Sequence, residues 1–185
     1  MTGPAQDIEE ILLTQEQIAA RVAELARDIS RDYATKAPVL ISVLKGAVYF
    51  VTDLSRAITI PIALDFMAIT SYGSARAQSG AVRLIKDLDI EITGRHVLLV
   101  EDIIDTGLTA GYLLRLLAAR SPASVQICTL LDRSRRRILE ELPIAYRGFE
   151  VPDRFVVGYG LDYREQYRHL PFIGVLKESV LQQPG

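Results

Sequence analysis

Val97-Leu-Leu-Val-Glu-Asp-Ile-Ile-Asp-Thr-Gly-Leu-Thr109 is the stretch whose reading decides the fold. An apolar strand ends at Glu101-Asp102, and a Thr/Gly loop then leads into a helix expected from about Thr109 to Ala119. In open parallel sheets, ligands bind at the carboxyl ends of the strands. The N–H groups of such a loop, with the helix N-terminus behind them, form an anion site. Thr106 and Thr109 add hydroxyl donors on either side of Leu108, and Gly107 lets the backbone approach the anion closely. Three carboxylates beside an anion make sense if the ligand also offers vicinal hydroxyls, as a sugar phosphate does, with Mg²⁺ between them. Successive strand residues point to opposite faces, so Glu101 and Asp102 are expected to differ in task. Asp105, inside the loop, is placed to reach beyond the sugar. The same residues would also suit an acidic strand end followed by an ordinary helix cap.

Working outward, Thr14-Gln-Glu-Gln17 reads as a capping box. Ile18, Val22, Leu25 and Ile29 then form one apolar helical stripe to about Tyr33. Val39–Leu44 is a short run rich in β-branched residues between Pro38 and Gly46, which predicts a strand covered on both faces. Helical spacing returns over 47–58, and strands are expected at 62–69, 81–86, 97–101, 124–131 and 155–159. Strands alternating with helices at this spacing predict an α/β domain around a mainly parallel sheet. Residues 71–80 show no apolar period, carry two glycines and read as a loop too long for a hairpin turn, either a floppy tip or a lid. No repeat or long linker divides residues 1–185, so a single domain is expected.

The bulk numbers exclude several classes. A 49% hydrophobic, 24% charged composition is that of a globular chain and not a disordered one. A net charge of −2 gives no general basic footprint for nucleic acid. No apolar run approaches the roughly 20 residues of a membrane span. The N-terminus lacks the basic start and apolar stretch of a signal peptide, and the single cysteine, Cys128, fits a reducing compartment, so a cytoplasmic location is expected. Cys128 lies in an apolar run and reads as core. His96 and His169 lack metal-ligand spacing. The cluster Arg133, Arg135, Arg136 and Arg137 reads as a solvated turn or helix face balanced by Glu140 and Glu141.

Val100-Glu-Asp-Ile-Ile-Asp-Thr-Gly-Leu-Thr109 resembles the phosphoribosyl-pyrophosphate (PRPP) motif of the type I phosphoribosyltransferases, in the variant of their hypoxanthine-guanine branch. The resemblance runs from about Leu12 to Leu176 in the family's order. It implies the type I phosphoribosyltransferase fold: a parallel-rich sheet flanked by helices, with a small hood from the terminal segments. It further implies purine salvage from PRPP and a 6-oxopurine with Mg²⁺, in a homodimer or homotetramer. By the resemblance, Asp105 is the catalytic base, and residues 105–109 hold the 5-phosphate while Glu101 and Asp102 face the ribose. Leu44, Lys45 and Gly46 hold pyrophosphate with Arg168, with a cis peptide at Leu44–Lys45. Ile103, Arg133, Phe155, Val156 and Asp162 form the purine site, and Asp162 joins Glu101 and Asp102 around metal. Ser71 and Tyr72 open the closing loop. In Leu130-Leu-Asp-Arg-Ser134 the chain departs from the family: Arg133 stands where a lysine usually donates to the purine 6-oxo group. A planar guanidinium and an ammonium are not interchangeable, which opens the choice among hypoxanthine, guanine and xanthine. A PRPP-sensing nucleic-acid-binding regulator on the same scaffold is the alternative from another class.

Overall fold

The structure is a computed structural model that describes residues 4–72, 81–139 and 141–182. Its central sheet has the order β4-β3-β2-β5-β6-β7. The strands are β2 (Val39–Leu44), β3 (Ala63–Tyr72), β4 (Ala81–Lys86), β5 (His96–Ile104), β6 (Ser124–Asp132) and β7 (Ile144–Glu150). All neighbours are parallel except the β3–β4 pair at the edge. Val39–Leu44 and Val97–Val100 show why the sheet is apolar through and through. Leu40, Leu98 and Val100 enter the core under α1 (Gln15–Asp32) and α2 (Val48–Ala57). Val39, Ile41, Val97 and Leu99 enter the opposite core, where α3 (Leu108–Ala118) packs. With a period of two and helices on both faces, neither face can be polar.

α1 begins as expected: the Thr14 hydroxyl accepts from the Gln17 N–H, and the Gln17 side chain accepts from the Thr14 N–H. Its far side is tied to β7 by Arg21, which donates to the carbonyls of Arg147 (2.6 Å) and Gly148 (3.1 Å). No helix among the described residues is long and apolar enough to cross a membrane.

A second sheet, β1-β9-β8, forms a hood from β1 (Ile8–Leu13), β8 (Val156–Val157) and β9 (Ile173–Leu176), completed by the short α4 (Glu178–Leu181). β1, β7 and β9 are not among the strands that the sequence pattern predicts. The strand expected over 155–159 is shorter because Gly158, Tyr159 and Gly160 take φ of +98°, +47° and +102°, which no ladder accommodates. Ser71 and Tyr72, expected to open a loop, are instead the last residues of β3, paired with Val82 and Ala81. Backbone pairing extends the antiparallel ribbon there despite the lack of an apolar period. Residues 73–80 lie outside the described residues. Cys128 is fully buried in the core, as expected.

Removing the α1 cap by Thr14→Ala should cost about 1 kcal/mol. For a chain of this size that is a fall in Tm of roughly 2–4 °C by calorimetry, and an unchanged Tm would contradict the reciprocal cap.

Candidate active site

β5 carries its apolar residues to the rim of the sheet and then exposes none of its carboxylates fully. Glu101 is 8% exposed, and its Oε1 is buried without a partner. Loss of hydration pushes the Glu101 carboxyl well above its ordinary range, and the neighbouring Asp102 charge adds to the effect. Desolvation also raises Asp102, to about 6, against the N–H of Ile103, which donates to Asp102 Oδ1 at 2.8 Å. The charges of Arg168 and Asp162 are both felt at Asp102, which places the three groups around one space.

The chain then turns sharply. Gly107 is the N-cap of α3 at φ +84°, so the first-turn N–H groups of the helix open toward the end of β5. Thr106 Oγ1 accepts from the Leu108 N–H at 3.4 Å. Glu101–Gly107, Thr109 and Ala110 line a cavity of about 280 Å³. The expected strand-end site is therefore a formed concavity in which acids, hydroxyls and free helix N–H groups meet.

Asp105 stands at the mouth of this cavity. Its Oδ2 lies 3.6 Å from Arg133 Nη1 and 3.4 Å from Arg136 Nη1, while its Oδ1 is buried with no partner. Arg133, 8% exposed, also donates to the Arg154 carbonyl, which holds it beside Phe155. The solvated-turn reading of the basic cluster is corrected here. Arg135 and Arg136 are exposed, yet Arg136 bridges Asp105 and Asp153. Arg137 is half-buried, its guanidinium on the fully buried Asp132, which Arg147 also reaches at 2.7 Å. A buried carboxylate needs cationic partners, and Asp132 recruits one from the turn that follows it and one from β7. The same turn backs the anion loop, because Ile138 and Leu139 donate their N–H groups to the Thr106 carbonyl at 2.9 and 3.3 Å. The one sequence signal for these contacts was the acid directly before the basic run.

The second segment, Leu44-Lys45-Gly46, also reaches the site. The Leu44–Lys45 peptide is cis, as the resemblance implied. A Cβ at Gly46 would fall 1.9 Å from Asp102 Oδ2, so only glycine admits this loop beside β5. A Cβ at Gly160 would meet the Gly46 carbonyl at 2.0 Å, which brings the turn after β8 to the same place. From that turn Arg168 reaches Asp162 (2.8 Å), and Lys45 reaches Glu165 (2.8 Å).

The expected purine residues do not share one cavity: Ile103 lines the β5 cavity and Phe155 a separate one with Arg154 and Leu176. Ile103 is half-buried, and Phe155 is 41% exposed with Tyr163 edge-on at 5.6 Å. The Val156 side chain is core, which leaves only its backbone for a ligand. For a divalent cation the residues fit. Glu101 offers an orphan buried acceptor, and the Asp162 charge helps to raise Asp102. No group of three or more metal-ligating side chains forms among the described residues. Mg²⁺ needs only one or two carboxylates when substrate oxygens and water complete its shell.

Comparison with known proteins bears on this geometry. Residues 9–164 match the family model described as the phosphoribosyl transferase domain. The hypoxanthine-guanine phosphoribosyltransferase of Mycobacterium avium is 54% identical over 96% of this chain and 90% of its own length. That of Bacillus subtilis is 47% identical over 95% of this chain and 97% of its own. The crystal structure of a Staphylococcus aureus hypoxanthine phosphoribosyltransferase superposes with a TM-score of 0.91 at 42% identity, covering 96% of each chain.

The raised Asp102 pKa has a sign that stability can report. The folded state binds this proton more tightly than the unfolded chain. Charging Asp102 therefore opposes folding increasingly from pH 3.8 up to about 6, and the full penalty persists above that. In metal-chelated buffer, Asp102→Asn should raise Tm by roughly 5 °C at pH 7.5, from a penalty on the order of 2–3 kcal/mol. The gain should shrink toward zero at pH 4.5. Equal shifts at both pH values would show that charge is not the cause.

Proposed function

The chain belongs to the phosphoribosyl transferase family, and we propose that it transfers the 5-phosphoribosyl group of PRPP to N9 of hypoxanthine or guanine, giving IMP or GMP and pyrophosphate. The observation that carries the proposal is Asp105: one oxygen is engaged by two arginines, the other is buried and unpartnered at the mouth of a cavity floored by an anion loop. The relatives' names supply the substrate class. The site supplies groups that suit it.

The 5-phosphate sits on the loop at 105–109, where the αL turn at Gly107 presents helix N–H groups and Thr106 and Thr109 add hydroxyls. The ribose hydroxyls lie against Glu101 and Asp102, and Glu101 Oε1 gains a donor for an acceptor that is otherwise buried and bare. The pyrophosphate lies between the Leu44-Lys45-Gly46 loop and Arg168, whose planar fork suits phosphate oxygens. Glu101, Asp102 and Asp162 would hold Mg²⁺, which would supply positive charge against the departing pyrophosphate.

The purine stacks on Phe155, with its edge read by the backbone at Val156 and near Asp162. Arg133 leaves Asp105 Oδ2 for the 6-oxo group, and Arg136 remains to hold that oxygen. N9 then attacks the anomeric carbon, and the bond from that carbon to pyrophosphate breaks with its electron pair leaving on the diphosphate. The proton on N7 passes to Asp105 Oδ1. Since the sugar carbon gains cationic character, holding both partners in line supplies much of the rate. Arg133 in place of lysine also keeps a preference for xanthine in play, because two of its N–H groups can serve a second oxygen.

Nucleotide formation followed spectrophotometrically with PRPP, Mg²⁺ and hypoxanthine, guanine, xanthine, adenine or uracil tests this. Turnover with a 6-oxopurine alone is expected, and Asp105→Asn should lower kcat by about 10²–10⁴ with little change in the KM for PRPP. A chain that turns over none of the bases, or an Asp105→Asn variant of full activity, would refute the proposal.

A further inference from the structure

Both cations assigned above to pyrophosphate already face one acid, Glu165, which shares Arg168 with the nearer Asp162. Lys45 Nζ lies 2.8 Å from Glu165 Oε2, and Arg168 Nη2 lies 3.5 Å from Glu165 Oε1. The two oxygens of one carboxylate thus reach two cations that come from segments 120 residues apart in the case of Lys45. Two oxygens on one centre, each facing a separate cation, is the arrangement a phosphoryl group presents. We propose that Glu165 is an internal occupant of the pyrophosphate site, competing with the diphosphate for Lys45 and Arg168 and thereby setting how tightly the site holds it. The inference rests on the functional reading above, which places pyrophosphate at those two residues.

Glu165 is delivered by a defined turn and not by a loose loop. Its N–H donates to Asp162 Oδ2 at 2.9 Å, and the backbones of Tyr163 and Gln166 bond each other on either side of it. Arg164, Glu165 and Tyr167 all take left-handed backbone, with φ of +52°, +61° and +73°, a region that side-chain-bearing residues adopt only where surroundings impose it. The turn is closed at its base by Arg168, which donates from Nη1 to the Gly160 carbonyl at 2.7 Å and accepts at its own carbonyl from the Gly160 N–H at 3.0 Å. The hydrogen bond from Lys45 holds the Glu165 carboxyl below its ordinary range, so it is an anion at neutral pH.

The contact is displaceable. Lys45 and Glu165 are each 66% exposed, and exposed ion pairs are weak and screened by salt. A diphosphate carries more charge than one carboxylate and should win, at reduced affinity. The opposite role is equally concrete: Glu165 could pre-align Lys45 and Arg168, in which case its loss weakens binding. The two roles predict changes of opposite sign.

Calorimetric titration of the full chain with inorganic pyrophosphate and Mg²⁺ separates them, using wild type, Glu165→Gln and Glu165→Ala. Glu24→Gln, which removes a surface charge from the Arg21 pair on α1, serves as the control. Both Glu165 variants should bind pyrophosphate roughly threefold tighter or more. Both should also show a lower KM for PRPP with the KM for the purine unchanged, a split that a merely structural role would not produce. Unchanged or weaker binding overturns the inference while leaving the functional reading intact. Equal tightening in Glu24→Gln also overturns it, as a bulk charge effect. A wild-type chain that does not bind pyrophosphate takes down both this inference and the reading it rests on.

Discussion

Glu101 and Asp102 sit side by side where the central strand β5 leaves the core, and the surrounding structure is organised by the difficulty of keeping them there. Neither has a full set of donors, both are pushed toward protonation by lost hydration, and Glu101 Oε1 has no partner at all. Such an arrangement persists only because the sheet on either side is apolar and held by helices on both faces. In this fold the acids are a local destabilisation supported by a large core, which is the usual relation between a functional site and its scaffold.

The glycines around the site follow from the same crowding. Gly46 lets a second loop lie directly against Asp102, and Gly160 lets a third lie against Gly46. Three segments distant in the chain are thus stacked closely, the Gly46 backbone against the Asp102 side chain and the Gly160 backbone against the Gly46 carbonyl. The stacking places Lys45, Arg168 and Asp162 within reach of the β5 acids without any of them being neighbours in sequence. On the other flank, the buried Asp132 with Arg137 and Arg147 anchors the turn that supports Thr106. That pair is better read as fixing the loop's position than as adding stability, since a buried ion pair roughly offsets its own desolvation.

Legibility in the sequence tracked how local the cause was. The capping box at Thr14, the apolar runs at 39–44 and 97–100, and the helix after Gly107 are each set by a few adjacent residues, and the structure places them where the pattern did. β1, β7 and β9 were not visible, because hood and edge strands are made by pairing partners far away and not by a strong period of their own. The left-handed run at Gly158–Gly160 cut short a strand that composition favoured. For the site, Asp105 and the anion loop were legible from one continuous motif. Arg136 and Arg137 were misjudged because their partners, Asp105, Asp153 and Asp132, approach through the fold of the turn, and a run of arginines alone reads as solvated surface.

Taken together, the charges around the cavity are arranged in pairs that a ligand has to exchange. Arg133 and Arg136 hold Asp105, and Lys45 and Arg168 hold Glu165, with Asp162 also on Arg168. Each cation assigned to a phosphate or a purine oxygen thus has an acid of the chain as its partner before the ligand arrives. A site built of bare cations would bind anions tightly but would hold the product pyrophosphate as firmly as the substrate, and uniform tightness does not raise turnover. With exchange of partners, the binding energy is the difference between two sets of ion pairs. That difference is small where the pairs are exposed, as at Lys45 and Glu165, and larger where one partner is buried, as at Arg133. Under the proposed reading, the looser grip falls on the leaving diphosphate and the firmer one on the base.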